Sequence, residues 1–75
     1  MNDNEKSIGQ LSYYAMYLRQ FLREIDSPLK DNDDFINERA NQAEFEYEES
    51  RRGGMTVFSA QERAMYVLVK GISDL

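Results

Sequence analysis

Leu11, Tyr14, Ala15, Leu18, Phe21, Leu22 and Ile25 recur at three- and four-residue steps. An α-helix advances about 100° per residue, so this spacing gathers all seven side chains onto one stripe, whereas a half-buried strand needs alternation at every second position. The stripe predicts an amphipathic helix over residues 7–25. It commits the chain to packing helix on helix, because an apolar stripe has to be covered by another element. Asp26-Ser27-Pro28 ends the helix, since the residue before a proline is pushed out of the helical region and proline has no N–H to continue the ladder.

The remaining punctuation is also helical. Asp31 or Asn32 can accept the orphan amide protons of a second helix, with Asp33 and Asp34 set favourably against its positive start. Ile36, Ala40, Ala43 and Tyr47 supply its stripe, and Arg51-Arg52-Gly53-Gly54 closes it with cations followed by glycines able to take a left-handed turn. This gives a helix over residues 32–52. Residues 55–58 read as an extended linker. Ser59-Ala-Gln-Glu62 fits the capping box that opens a third helix over residues 59–70, stopped by Gly71. Residues 1–6 and 72–75 are expected to be flexible ends.

The expected architecture is therefore all-α, a single domain over residues 1–75: a small three-helix bundle, or a helical hairpin with a third helix packed across it. A chain of 75 residues has a thin core, and without cysteine or histidine neither disulfides nor an ordinary zinc site can staple it. Packing, or a partner, has to supply the stability.

The same absences remove most chemistry. No thiol nucleophile, no Ser-His-Asp triad and none of the usual transition-metal ligands can be assembled. Asp31-Asn-Asp33-Asp34 lacks a calcium loop's fifth and sixth places, occupied here by Phe35 and Ile36, and reads as helix capping. Glu44, Glu46, Glu48 and Glu49 read as a solvated acidic face, because a four-helix carboxylate metal site also needs histidines. Gly53-Gly54 closes a helix instead of opening one and is not followed by the lysine of a phosphate loop. The expectation is a protein that is not an enzyme and carries no cofactor or metal.

Charge narrows the partners. With 14 acidic and 9 basic residues the chain carries a net charge of −5, which repels phosphate backbones, so direct nucleic-acid binding is not expected. Arg51 and Arg52 read as complements to a helix end. No apolar run reaches the roughly 20 residues of a membrane span, and the polar start has no signal-peptide pattern. Together with the missing cysteines, this gives a cytoplasmic expectation.

What is left over after the core is assigned is apolar. Tyr13 and Tyr17 fall on the flank and back of the first helix, and Phe45 points away from Ile36 and Tyr47. Met65, Val69 and Ile72 extend the third helix's stripe (Ala60, Ala64, Val67, Leu68) around nearly half its circumference. Such residues are enriched at protein interfaces, which makes Tyr13, Tyr17, Phe45, Met65, Val69 and Ile72 the candidate contact residues for an unknown partner protein or a second copy. Aromatic rings laid flat over neighbouring helices are the competing reading.

Leu11-Ser-Tyr-Tyr14, Leu18, Leu22, Phe35-Ile36, Arg39-Ala40, Ala43, Tyr47-Glu48, Gly54, Val57, Ala60-Gln-Glu62, Ala64-Met65, Val67-Leu68 and Gly71 resemble, in order and spacing, the bacterial domain-of-unknown-function family 1896. The resemblance spans residues 10–71 in three separated blocks. It implies a helical fold and a context among conjugative or mobile-element genes, hence an accessory or regulatory role, and it implies no chemistry. Members of that family usually continue into a further helical half, so this chain looks like a short or minimal member. A weaker similarity joins Ser50 to Gly54 with the short helical antitoxins of Fic-type adenylyltransferases. The glutamate that their inhibitory Ser/Thr-x-x-x-Glu motif requires is replaced here by Gly54. That similarity gives the alternative expectation of an antitoxin-like inhibitor.

Overall fold

The computed structural model describes the backbone of residues 2–72 and the side chains of residues 13–72. The side chain of Leu11 in the first stripe and the last part of the predicted tail, residues 73–75, lie outside what is described. The elements are α1 (Asn2–Glu24), a 3-10 turn (Pro28–Asp31), α2 (Asp33–Arg52) and α3 (Val57–Val69). There is no strand among the described residues.

Each helix stops where the backbone takes a positive φ. At the end of α1 the Ser27 N–H donates to Leu22 O (2.9 Å) and the Asp26 N–H to Arg23 O (3.0 Å), with Asp26 at φ 54°. This is the left-handed C-terminal cap usually built on glycine, here carried by aspartate, one of the few other residues that tolerates it. The helix is therefore already closed before Pro28, which instead opens the 3-10 turn behind the Ser27 cap. Ile25, expected in the core stripe, sits at this cap and is exposed. The end of α2 repeats the arrangement, with Met55 N–H donating to Ser50 O and Gly54 N–H to Arg51 O, and Gly54 at φ 101°.

Two expected boundaries move. α1 begins at Asn2 instead of residue 7. α3 begins at Val57, because Thr56 is its cap: the hydroxyl accepts from Ser59 N–H at 3.1 Å and the Thr56 carbonyl accepts from Ala60 N–H at 2.9 Å. Threonine three residues ahead of Ser59 caps equally well and gains another turn of backbone bonds. Ser59 thus lies inside the first turn, and Val57 and Phe58 are helical, not linker. Asn32 caps α2 as expected, accepting from Phe35 N–H at 3.0 Å.

α2 is the middle of the fold. It forms a hairpin with α3 and also carries α1, while α1 and α3 scarcely touch. The architecture is thus a helical hairpin, α2–α3, with α1 packed on α2. The core joins Tyr14, Leu18 and Leu22 of α1 to Ile36, Ala40 and Ala43 of α2 and Ala64 and Leu68 of α3. Ala60 is fully buried as well, and small side chains on both arms let the hairpin backbones approach closely. Beyond α3, Lys70 and Gly71 make a type II turn (Gly71 φ 77°, Ile72 N–H to Val69 O 3.2 Å) that folds Ile72 back into the core, 2% exposed. Ile72, read from sequence as contact surface and as the start of a flexible tail, is a core residue.

Polar bonds fix the register. The Arg39 guanidinium, stacked over Phe35 with 5.2 Å to the ring centroid, donates from α2 to Val67 O (3.2 Å), Leu68 O (3.2 Å) and Lys70 O (3.0 Å). These are carbonyls that the end of α3 cannot satisfy itself, and they lie at the negative pole of its dipole. Arg63 on α3 pairs with Glu46 on α2 at 3.0 Å, and Arg19 on α1 pairs with Asp33 at 2.9 Å. Replacing Arg39 by Ala is expected to destabilise the fold by about 1–3 kcal/mol in urea unfolding. Arg39→Lys should recover less than half, because the lysine ammonium sits one atom nearer the backbone than the Arg39 Nη1 that faces all three carbonyls, and it loses the planar stacking over Phe35. Full recovery by lysine would show that charge alone matters.

Candidate protein-contact groove

Because α1 and α3 diverge over α2, an open groove of about 490 Å³ runs between them. Tyr13 and Tyr14 form its α1 wall. Phe58, Glu62, Met65, Tyr66 and Val69 form its α3 wall, at helical three- and four-residue steps. Phe58 and Tyr66 stand 69% and 67% exposed on the rim, while Met65 and Val69 are half-buried and pack against the core from the floor. The Tyr13 ring meets Tyr14 edge-on at 5.5 Å and Tyr17 at 6.4 Å, so α1 offers an aromatic cluster, not isolated rings.

Of the residues singled out from sequence, the structure brings Tyr13, Met65 and Val69 together in the groove, with Tyr17 beside Tyr13. Phe45 is exposed on α2 but lines neither this groove nor the second hollow, and Ile72 is buried. Phe58 and Tyr66 were missed. The misplaced start of α3 left Phe58 in a supposed linker. Once the helix begins at Val57, positions 58, 62, 65, 66 and 69 fall on one face, opposite Ala60, Ala64 and Leu68, which is the signal that finds them.

A second hollow, about 590 Å³, lies on the other side of Tyr66 and is lined by the Arg63–Glu46 pair with Glu62 and Lys70. The Arg63–Glu46 pair engages part of its polar rim internally. The arginines of the supposed basic spot are held likewise: Arg51 donates to Met55 O at 2.7 Å and Arg52 pairs with Glu49. Ser50, the start of the antitoxin-like segment, is buried in the turn that ends α2, with its hydroxyl on Glu46 at 3.4 Å.

One acid is unusual. Glu44 was read as part of a solvated face, but it is 9% exposed, on the side of α2 that meets Tyr14. Burial, then its hydrogen bond and repulsion with Glu48, push its carboxyl up to about 7, while burial and the neighbouring Glu44 push the Tyr14 hydroxyl up to about 12. Perturbed groups often mark active sites. Glu44, however, lines neither hollow, so its proton is not presented to a ligand there. Among the described residues no three acidic side chains converge as a metal site, and no helix is long and apolar enough to cross a membrane.

Residues 5–73 match the family described as Domain of unknown function (DUF1896). The chain belongs to the DUF1896 family. No curated protein and no solved structure matches it. The site of this DUF1896 chain is an apolar, aromatic-rimmed groove whose ionisable lining side chains are Glu62 and the tyrosines Tyr13, Tyr14 and Tyr66.

The Glu44 shift sets a pH dependence. Between the ordinary value of 4.5 and about 7 the folded state binds this proton and the unfolded state does not. The stabilisation is complete below 4.5 and is lost as pH rises through about 7. The unfolding midpoint is expected to fall from about pH 5 to about pH 8, and Glu44→Gln should remove most of that fall and be the more stable protein at the upper end. An unchanged slope in the variant would contradict the assignment.

Proposed function

We propose that this DUF1896 protein is a non-enzymatic interaction module that binds another protein through the α1/α3 groove. The single observation carrying the reading is the groove itself: Phe58, Tyr66 and Tyr13 stand exposed around a floor of Met65 and Val69, whereas the other exposed large apolar side chains, Met16, Tyr17, Ile25, Phe45 and Val57, line neither hollow. Exposed clustered aromatics and methionine are what a protein-contact face offers, and a small domain gains nothing in stability from leaving them in water. An accessory or regulatory role in a bacterial mobile element suits such a module, as does the cytoplasm. The antitoxin-like alternative has less support, because Gly54 stands where its motif needs glutamate and Ser50 is buried with its hydroxyl on Glu46.

Photo-crosslinking from inside the producing cell tests this. A benzophenone side chain at position 66 or 58 is expected to give a discrete adduct with one common protein. Probes at the equally exposed positions 38 and 45, away from the groove, should not. The double substitution Phe58→Asp with Tyr66→Asp should abolish the adduct formed from position 13 while shifting stability by less than about 1 kcal/mol, since both side chains are surface groups. Adducts forming equally at 38 and 45 would contradict the groove as the contact face.

A further inference from the structure

The described residues extend 35 × 26 × 15 Å along their principal axes. A small bundle ordinarily closes by packing each helix on its neighbours. Here the α1–α3 contact is the weak one, so the layer stays open along the line where another helix would lie. The groove follows α3 from Phe58 to Val69, roughly 16 Å at 1.5 Å per residue, or three turns. Its ridges are spaced as helix side chains are, so another helix's side chains can interdigitate with them. A peptide that binds by adding a strand would need a free strand edge, and there is no strand among the described residues.

Charge selects among helices. Glu62 is the only charged residue lining the groove, it is exposed, and it makes no ion pair among the described residues. The whole chain carries −5. The exposed rings of Phe58, Tyr66 and Tyr13 offer faces that attract ammonium and guanidinium groups. A second copy would bring the same Glu62 and the same sign of net charge. We infer that the groove takes one amphipathic helix of a partner protein, its apolar stripe on Met65 and Val69 and its flanks carrying Lys or Arg over Glu62 and the aromatic rim. This rests on the groove being the contact face, and it adds the partner's secondary structure and charge.

Three labelled helical peptides of about five turns, with one shared apolar stripe and flanks of Lys, Gln or Glu, test it by fluorescence anisotropy against the intact protein. The Lys peptide is expected to bind about five- to tenfold tighter than the Glu peptide at low salt, with the gap narrowing as salt rises. Glu62→Lys should invert the order. Tyr66→Asp should weaken binding of all three. Equal affinities, or an order unchanged by Glu62→Lys, would overturn the charge assignment while the Tyr66→Asp loss still upheld the groove. Failure of all three peptides to bind would overturn the helix as occupant, with the crosslinks from position 66 left standing. An isotherm that turns down as protein concentration rises would identify a second copy in the groove, and would also overturn it.

Discussion

Arg39 crosses from α2 to the last turn of α3 and holds the carbonyls of Val67, Leu68 and Lys70, and by doing so it fixes how far α3 can slide along α2. Two helices joined through Gly53-Gly54 with alanines between them have little steric reason to prefer one register, because Ala40, Ala43, Ala60 and Ala64 form a smooth contact. The Arg39 guanidinium, with one nitrogen held against all three carbonyls and its plane over Phe35, supplies the specificity that the alanines lack. With the register set, Arg63 meets Glu46, Leu68 meets Ile36 in the core, and the turn at Gly71 delivers Ile72 under the hairpin instead of past it.

The groove is a consequence of this arrangement. The hairpin uses one side of α2, and α1 uses another, anchored by Tyr14, Leu18 and Leu22 and by the Arg19–Asp33 bridge. Nothing then draws α1 onto α3 along its full length, so Met65 and Val69 are covered on one side only. The burial of Glu44 beneath Tyr14 belongs to the same geometry: where α1 lies on α2, the acidic side chain is taken out of water and keeps its proton toward neutral pH. A chain of this length cannot close every face, and the face it leaves open is aromatic.

Much of the fold was legible because helices announce themselves in spacing and caps. The stripe through Tyr14, Leu18 and Leu22, the Asn32 cap and the Gly54 stop all act locally, within one or two turns of chain. What the sequence hid was decided by competition or by distance. Thr56 and Ser59 are both good caps, and the earlier one gains another turn of backbone bonds. Pro28 looked like the terminator of α1, yet Asp26 had already closed it. Ile72 looked like surplus surface because a turn that folds a tail inward depends on a core partner far away in sequence. Arg39 carried no local signal for its role, since its acceptors lie on another helix. The groove was half visible: Tyr13, Met65 and Val69 were marked by being left over, while Phe58 and Tyr66 needed the corrected start of α3.

A groove kept open for a different protein requires a domain that is folded as a monomer. Light scattering coupled to size exclusion, over about a hundredfold range of protein concentration, measures this. One monomer mass, 8.8 kDa, is expected throughout, with the helices formed at the lowest concentration. A mass that doubles with concentration, or helicity lost on dilution, would mean that the exposed aromatics are half of a self-complementary core, and would contradict it.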